Sequence, residues 1–595
     1  MKKFIFFLIV ILFEVNLFSQ TSNLITNVDG RKAISLNGEW KVIVDPYETG
    51  YYTYRRTPDP NGYFKNALPK DKSDKVEYNF DSSESLLVPG DWNTQKEKLF
   101  FYEGTVWYKK SFGYQKKNSG RVFLYFGAAN YESIVYLNGE KLGSHLGGFT
   151  PFNFEITDKI KDGDNFIVVK VDNKRLAEGV PTLNTDWWNY GGITRDVKLI
   201  ETPDQFVPDY FVQLKKGSAD TIAGWIRTDG MKNKKNISLL IPELKIDYKI
   251  IPDENGVARF EIKASPELWS PENPKLYEVI IKTEFEEIKD RIGFRSIETR
   301  GPEIYLNGKK IFLKGISIHE EAPVRSSRAY SPEDAQKILG MAQELGCNFV
   351  RLAHYPHNEN MIREADRRGI LVWSEIPVYW TIQWENSSTF ENAANQLEEM
   401  ITRDRNRASI ILWSVGNETP RSEPRLAFMK KLTEKARSLD NTRLITAATE
   451  IHYTDPRTIM TNDPLGEYLD VLGCNEYIGW YDGLPSKAET INWTTAFNKP
   501  LIISEFGGDA KFGFHADPLT IWSEEFQEDL YIKQLGMLKR IPNLCGMTPW
   551  ILMDFRSPRR PLPGIQDFFN RKGLYSNLGE KKKAFYILRD FYKSK

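Results

Sequence analysis

Residues 409–420 read SIILWSVGNETP: an apolar run that stops, with no turn residue between, on an amide and a carboxylate, Asn417 and Glu418. A strand covered on both faces reads as a near-continuous apolar run, the habit of parallel sheets. The same form recurs on either side, in IFLKGISIH (311–319), NFVRLAHYP (348–356), ILVWSEIP (370–377), RLITAATE (443–450), DVLGCNEYIGWY (470–481), PLIISEFGG (500–508) and LCGMTPWILMDF (544–555). Stretches of helical period, such as SPEDAQKILGMAQELG and NENMIREADRRG, separate most of them. Eight such strands between residues 301 and 595 predict a (β/α)8 TIM barrel, whose active site lies at the C-terminal ends of the strands. The polar residues that close the apolar runs are therefore the candidates for chemistry.

Upstream the period is shorter. RVFLYFG, SIVYLNGEKLG and NFIVVKVDN alternate like strands, and Asn138-Gly139 is a two-residue hairpin signal, so residues 21–200 read as a β-sandwich. A smaller β unit at 201–300, with TIAGWIRTDG, NISLLIPE and LYEVIIKTEF, has the size of an immunoglobulin-like sandwich. The first residues, MKKFIFFLIVILFEVNLFSQ, place two lysines before an apolar run too short to span a bilayer, which predicts a signal peptide over 1–20 and export to the periplasm or the medium.

The whole chain has 595 residues, enough for three or four domains, and its 80 Lys+Arg balance 80 Asp+Glu. That balance argues against a nucleic-acid partner, and the mature form is expected to have no membrane attachment. Three cysteines, Cys347, Cys474 and Cys545, all lie in apolar segments and are expected as buried thiols. Aromatics make up 13 % of the residues, with 15 Trp, more than cores alone require and suited to stacking on sugar rings.

Glu418 ends the fourth barrel strand and Glu505 the seventh; His319, Arg351, His354, Glu375 and Tyr477 close others. Two carboxylates at one rim suit glycoside hydrolysis, which needs a proton for the leaving oxygen and a nucleophile or base opposite. A pair about 5 Å apart favours retention and one nearer 8 Å inversion. His354 and His357 are too few for a metal site, and no metal or organic cofactor is expected.

GISIHEE, NFVRLAHYPH, WSVGNE and IISEFGG, with WWNYGGITRDVKL near the N-terminus, resemble glycoside hydrolase family 2 from about residue 30 to the C-terminus. The resemblance implies a sugar-binding-like jelly roll, an immunoglobulin-like sandwich and a catalytic barrel acting as a retaining exo-β-glycosidase. It implies Glu418 as general acid/base, Glu505 as nucleophile, Asn417 on the sugar 2-hydroxyl and His354 in the sugar pocket. Arg351 and Tyr477 are expected to steady the ionised nucleophile.

The substrate reading rests on FFNRKGLYS, where Asn570 and Lys572 match the Asn-x-Lys pattern with which β-glucuronidases of this family hold the C6 carboxylate. Asp186, Tyr477, Tyr481 and Trp550 match further substrate-binding positions, Trp550 as a stacking platform. Arg559 and Arg560 depart from the pattern and are candidates for carboxylate binding or for a charged neighbouring sugar. Tyr379, Trp380 and Trp384 are candidates for leaving-group contact. The expected partner is thus a carbohydrate bearing a uronic acid, with β-galactoside and β-galacturonide hydrolysis as alternatives and a non-catalytic glycan-binding protein as a third. Assembly into a homo-oligomer is left open.

Overall fold

A computed structural model describes residues 24–58, 71–73, 78–230 and 236–595; the leader expected at 1–20 lies outside the described residues. The first unit is a jelly-roll-like sandwich of two antiparallel sheets. One has four strands, Ala33–Ser35, Val197–Thr202, Arg121–Phe126 and Phe152–Glu155 in spatial order. The other has six, running from Ser85–Val88 through Gly38–Val44, Thr105–Tyr114, Gly163–Asp172 and Glu132–Leu137 to Glu140–Leu146. The inward positions, among them Trp40, Leu124, Val135 and Val169, form its core. Asn138 and Gly139 both take positive φ, 52° and 89°, which is the conformation a two-residue hairpin loop requires.

Seven strands between Phe206 and Ile292 make the second sandwich, three in one sheet and four in the other. Its core packs Tyr210, Ile226, Leu239, Phe260 and Ile281 between the two sheets.

The barrel strands follow, all parallel. They are β1 (Leu313–Lys314 and Ser317–Ile318), β2 (Phe349–Leu352), β3 (Leu371–Glu375), β4 (Ile410–Asn417), β5 (Leu444–Glu450), β6 (Leu472–Asn475), β7 (Leu501–Glu505) and β8 (Leu544–Met547). Closure runs through β1, whose first half pairs with β8 and whose second half pairs with β2. Every residue of β4 is buried, as its apolar run predicts. Helices Pro332–Glu344, Glu359–Arg368, Ser387–Asp404 and Glu423–Leu439 follow β1 to β4, and Glu524–Leu538 and Lys583–Lys593 follow β7 and β8. Ser331 and Asp334 cap the first reciprocally, and Gly369 ends the second with φ 74°. After β5 and β6 the helices shrink to short 3-10 turns, Pro464–Glu467 and Pro485–Glu489, beside a small three-stranded sheet. The three cysteines are free and buried.

The jelly roll is bolted to the barrel mouth. Arg195 donates to the carbonyls of Phe149 and Pro356, both at 2.6 Å, and to both oxygens of Glu320 at 3.2 Å. Both partners of this ion pair are buried. Replacing Arg195 by alanine removes the main cation from a buried carboxylate and strands two carbonyls. The substitution is expected to cost about 3–5 kcal/mol of stability, visible as a lower midpoint in urea or thermal unfolding.

Candidate active site

The end of β4 turns sharply at its carboxylate: Glu418 has φ 45°, and so has its neighbour in space, Trp380, at 54°. Left-handed backbone in a residue with a Cβ costs of order 1 kcal/mol or more and is held only by surrounding contacts. Here the contacts are backbone bonds that tie the end of β4 to the segment after β3 and to β5. Asn417 N donates to the Val378 carbonyl at 2.9 Å, Trp380 N to that of Asn417 at 3.0 Å, and Glu418 N to that of Ala448 at 2.8 Å. Trp380 is thereby placed so that its indole N–H reaches Glu418 Oε2 at 2.8 Å, and Asn417 Nδ2 lies 3.4 Å from the same oxygen. No described residue bonds Glu418 Oε1.

Glu505, at the end of β7, is buried and receives a donor on each oxygen: Arg351 Nη1 at 2.8 Å and the Tyr477 hydroxyl at 2.7 Å. Arg351 also donates to Asn417 Oδ1 at 2.7 Å, so one guanidinium and one amide link the two carboxylates across the rim. The guanidinium is shared with Glu375, which takes bonds of 3.0 and 3.3 Å from Arg351 and one of 2.8 Å from Trp373 Nε1. Burial alone would raise Glu375, but Arg351 and His354 outweigh it and hold the carboxyl down at about 2. Glu505 goes the other way. Burial, aided by the charge of Glu418 and only partly countered by Arg351 and Tyr477, pushes it up to about 8. A second charge on Glu505 is therefore disfavoured at this rim.

Burial lowers the His354 imidazole despite its bond to Glu375, so the ring is neutral near pH 7. Its Nδ1 lies 3.0 Å from Glu375 Oε1 and is assigned the proton, leaving Nε2 as an acceptor on the side of Glu505. Trp550 stacks on this ring at 4.8 Å, and His319 and Phe555 meet the indole edge-on. His357 donates from Nε2 to the Ala353 carbonyl at 2.9 Å and takes no part in the mouth.

The Asn-x-Lys element lies on the same side of the rim as Tyr477. Lys572, 1 % exposed, donates to Asp509 at 2.7 Å and to the Tyr481 hydroxyl at 2.9 Å, and its ammonium sits 5.8 Å from the Tyr477 ring centre. Arg560 reaches the same Tyr481 hydroxyl at 3.1 Å and pairs with Asp186. Asp186 also accepts from Ser557 at 2.6 Å and from Asn570 Nδ2 at 3.1 Å. Burial opposes its charge, but Arg560 prevails and holds Asp186 below the usual carboxylate range. Both of its oxygens are occupied, so this jelly-roll residue positions Asn570 and Arg560. The two anions and two cations of the cluster cancel. Lys572 and Asn570 each keep an N–H with no partner among the described residues, and the Tyr481 proton turns away from the two cations that occupy its oxygen.

Two participants, Asp509 and Trp187, are not among the candidates read from the sequence. Asp509 follows Glu505 by four residues, and its role follows only from the need of a buried lysine for an anion. Trp187 enters the mouth from the jelly roll, its ring 4.9 Å from Tyr379 and 5.6 Å from His354. Trp384, expected at the leaving group, instead packs on Phe428 at 5.3 Å in the outer core, because the chain after Trp380 turns away to start the next helix. Tyr379 and Trp380 do line the mouth. Among the described residues no group of three or more His, Cys, Asp or Glu could hold a metal ion.

Residues 297–562 match the TIM barrel domain of glycosyl hydrolases family 2, 33–203 its sugar binding domain and 212–295 a further domain of that family. The chain is 29 % identical to a putative beta-glucuronidase of Formosa agariphila, over 86 % of this chain and 67 % of that one. It is 27 % identical to a beta-glucuronidase of Paenibacillus borealis, over 91 % and 95 %. A Bifidobacterium dentium beta-glucuronidase solved with coumarin-3-O-glucuronide superposes with a TM-score of 0.82 at 25 % identity, covering 95 % of this chain and 97 % of that one.

The raised Glu505 makes a stability prediction. Its folded value of about 8 exceeds the ordinary 4.5, so between those values the folded chain binds a proton the unfolded chain lacks. Stability then falls as pH rises through that window, by at most about 1.4 kcal/mol per pH unit. Glu505→Gln removes this term. Its melting temperature should exceed that of the wild type by more at pH 8 than at pH 5; a constant gap would show that folding does not raise Glu505.

Proposed function

Because the chain belongs to glycosyl hydrolase family 2, we propose that the two carboxylates of the barrel mouth make it a retaining exo-β-glycosidase that removes terminal β-glucuronic acid from oligosaccharides or glycosides. The observation that carries this reading is Glu418 and Glu505 at one rim, joined through Arg351 and Asn417, beside the Lys572–Asn570–Tyr481 donors.

Donors cover both oxygens of Glu505, which suits the attacking carboxylate, while Glu418 Oε1 has no partner among the described residues and can face the leaving oxygen. In the first step a Glu505 oxygen attacks the anomeric carbon as the glycosidic C–O bond breaks, and the Glu418 proton goes to the leaving oxygen. Glu505 loses its charge in the resulting ester. Glu418, left ionised by the first step, then takes a proton from water as the water attacks the anomeric carbon and releases Glu505. Asn417 and the His354 Nε2 acceptor serve the sugar hydroxyls, and Trp550 is the platform for the ring. The substrate carboxylate is received by Lys572, Asn570 and Tyr481, with Asp509 and Asp186 holding those donors in place. Export rests on the leader at 1–20.

A panel of 4-nitrophenyl glycosides tests the reading. The β-glucuronide should be cleaved fastest; a faster β-galactoside, or a faster β-galacturonide, would replace it with the corresponding activity, and no cleavage would favour the glycan-binding alternative. Glu505→Gln should lower kcat on the preferred glycoside by a factor on the order of 10⁴ or more while the circular dichroism spectrum is retained.

Lys572→Ala separates recognition from packing. It should lower kcat/KM on the glucuronide by about 2–4 kcal/mol equivalent and by much less on the matching neutral glucoside. Equal losses on both would make Lys572 a purely structural cation.

A further inference from the structure

The two arginines of the SPRRPLPG loop face different parts of the mouth. Arg560 is committed to Asp186 and the Tyr481 hydroxyl, on the side of Lys572. Arg559 lies with its guanidinium carbon 4.6 Å from the centre of the Trp380 ring. Its side chain makes no ion pair or hydrogen bond with any described residue, and the residue is exposed. Trp380 is the indole whose N–H holds Glu418, and its ring packs on Tyr379 at 4.4 Å. The Tyr379 hydroxyl in turn feels the charges of Glu418, Asp186, Glu505 and Arg559 together, so Arg559 belongs to the same electrostatic neighbourhood as the carboxylate pair.

We propose that Arg559, seated on Trp380, is a specificity residue that favours leaving groups bearing a negative charge, such as a sulfated or carboxylated sugar or aglycone. The inference rests on the glycosidase reading. An acid that protonates the glycosidic oxygen lies between the sugar being cut off and the leaving group, so the leaving group departs past Glu418 and the indole that holds it. A planar guanidinium lying on an aromatic ring keeps its N–H edges free for a carboxylate or sulfate. Every other cation described at this mouth is already matched by a carboxylate: Arg351 by Glu375 and Glu505, Lys572 by Asp509, Arg560 by Asp186. Arg559 alone brings charge without a protein counter-ion, and it does so on the side of the proton donor.

The test uses two glucuronides of the same shape, those of 4-hydroxybenzoate and of 4-hydroxybenzamide, whose leaving groups differ in one charge. Cleavage of the amide by the wild type examines the glucuronidase reading by itself, before any ratio is taken. The ratio of kcat/KM for the carboxylate over the amide is then compared between wild type and variants, which cancels differences in folded fraction. Arg559→Ala should lower that ratio roughly three- to tenfold, Arg559→Lys should restore part of it, and added NaCl should shrink the wild-type ratio toward that of the alanine variant. A ratio unchanged in Arg559→Ala, or lowered equally by Arg559→Lys and Arg559→Ala with no salt dependence, would overturn the proposal.

Discussion

Arg351 donates from the end of β2 to Glu375, to Glu505, to Asn417 and to the Ser504 carbonyl, and it does so with no exposed surface. A guanidinium without water is tolerable only if nearly all its N–H groups are received and its charge is opposed. That requirement fixes three side chains from three other strands. Glu375 lies closest to being a dedicated counter-ion, since it meets Arg351 through both oxygens and is held at about 2. Glu505 therefore receives only a share of the positive charge, which is why burial and its sister carboxylate push it up in spite of the arginine beside it. The same cation thus keeps one acid firmly ionised and leaves the other poised.

The barrel and its two carboxylates were legible because burial in a parallel strand writes an apolar run, and a charged residue at the end of such a run stands out. Asn417, Glu418 and Glu505 announce themselves in that way. The short 3-10 turns that replace helices after β5 and β6 are not part of that reading, because a count of strands alone supplies eight. What the chain hides are contacts between distant segments. Trp380, Asp509 and Trp187 look like any rim aromatic or loop acid, and their partners lie 38, 63 and 167 positions away. Asp186 is the instructive case. Its neighbourhood was readable, but its carboxylate bonds Ser557, Arg560 and Asn570, a set that no local pattern specifies.

Neutrality within the Lys572 cluster has a bearing on how an anion is chosen. A site that relied on surplus charge would attract any anion and would be screened by salt; one built from oriented N–H and O–H groups, with charges already cancelled, discriminates by geometry. Tyr481 illustrates this. Its oxygen accepts from two cations, so its proton has one useful direction left, away from both.

Trp187 and Asp186 reach the rim from a different domain from the one that carries the acids. The barrel therefore does not own its mouth. A chimera that transplanted a relative's barrel onto this jelly roll would graft half a pocket, and its ring contacts and the Asn570 tether would have to be re-matched across the seam. Divergence in such a chain is constrained to proceed in step on both sides of that join.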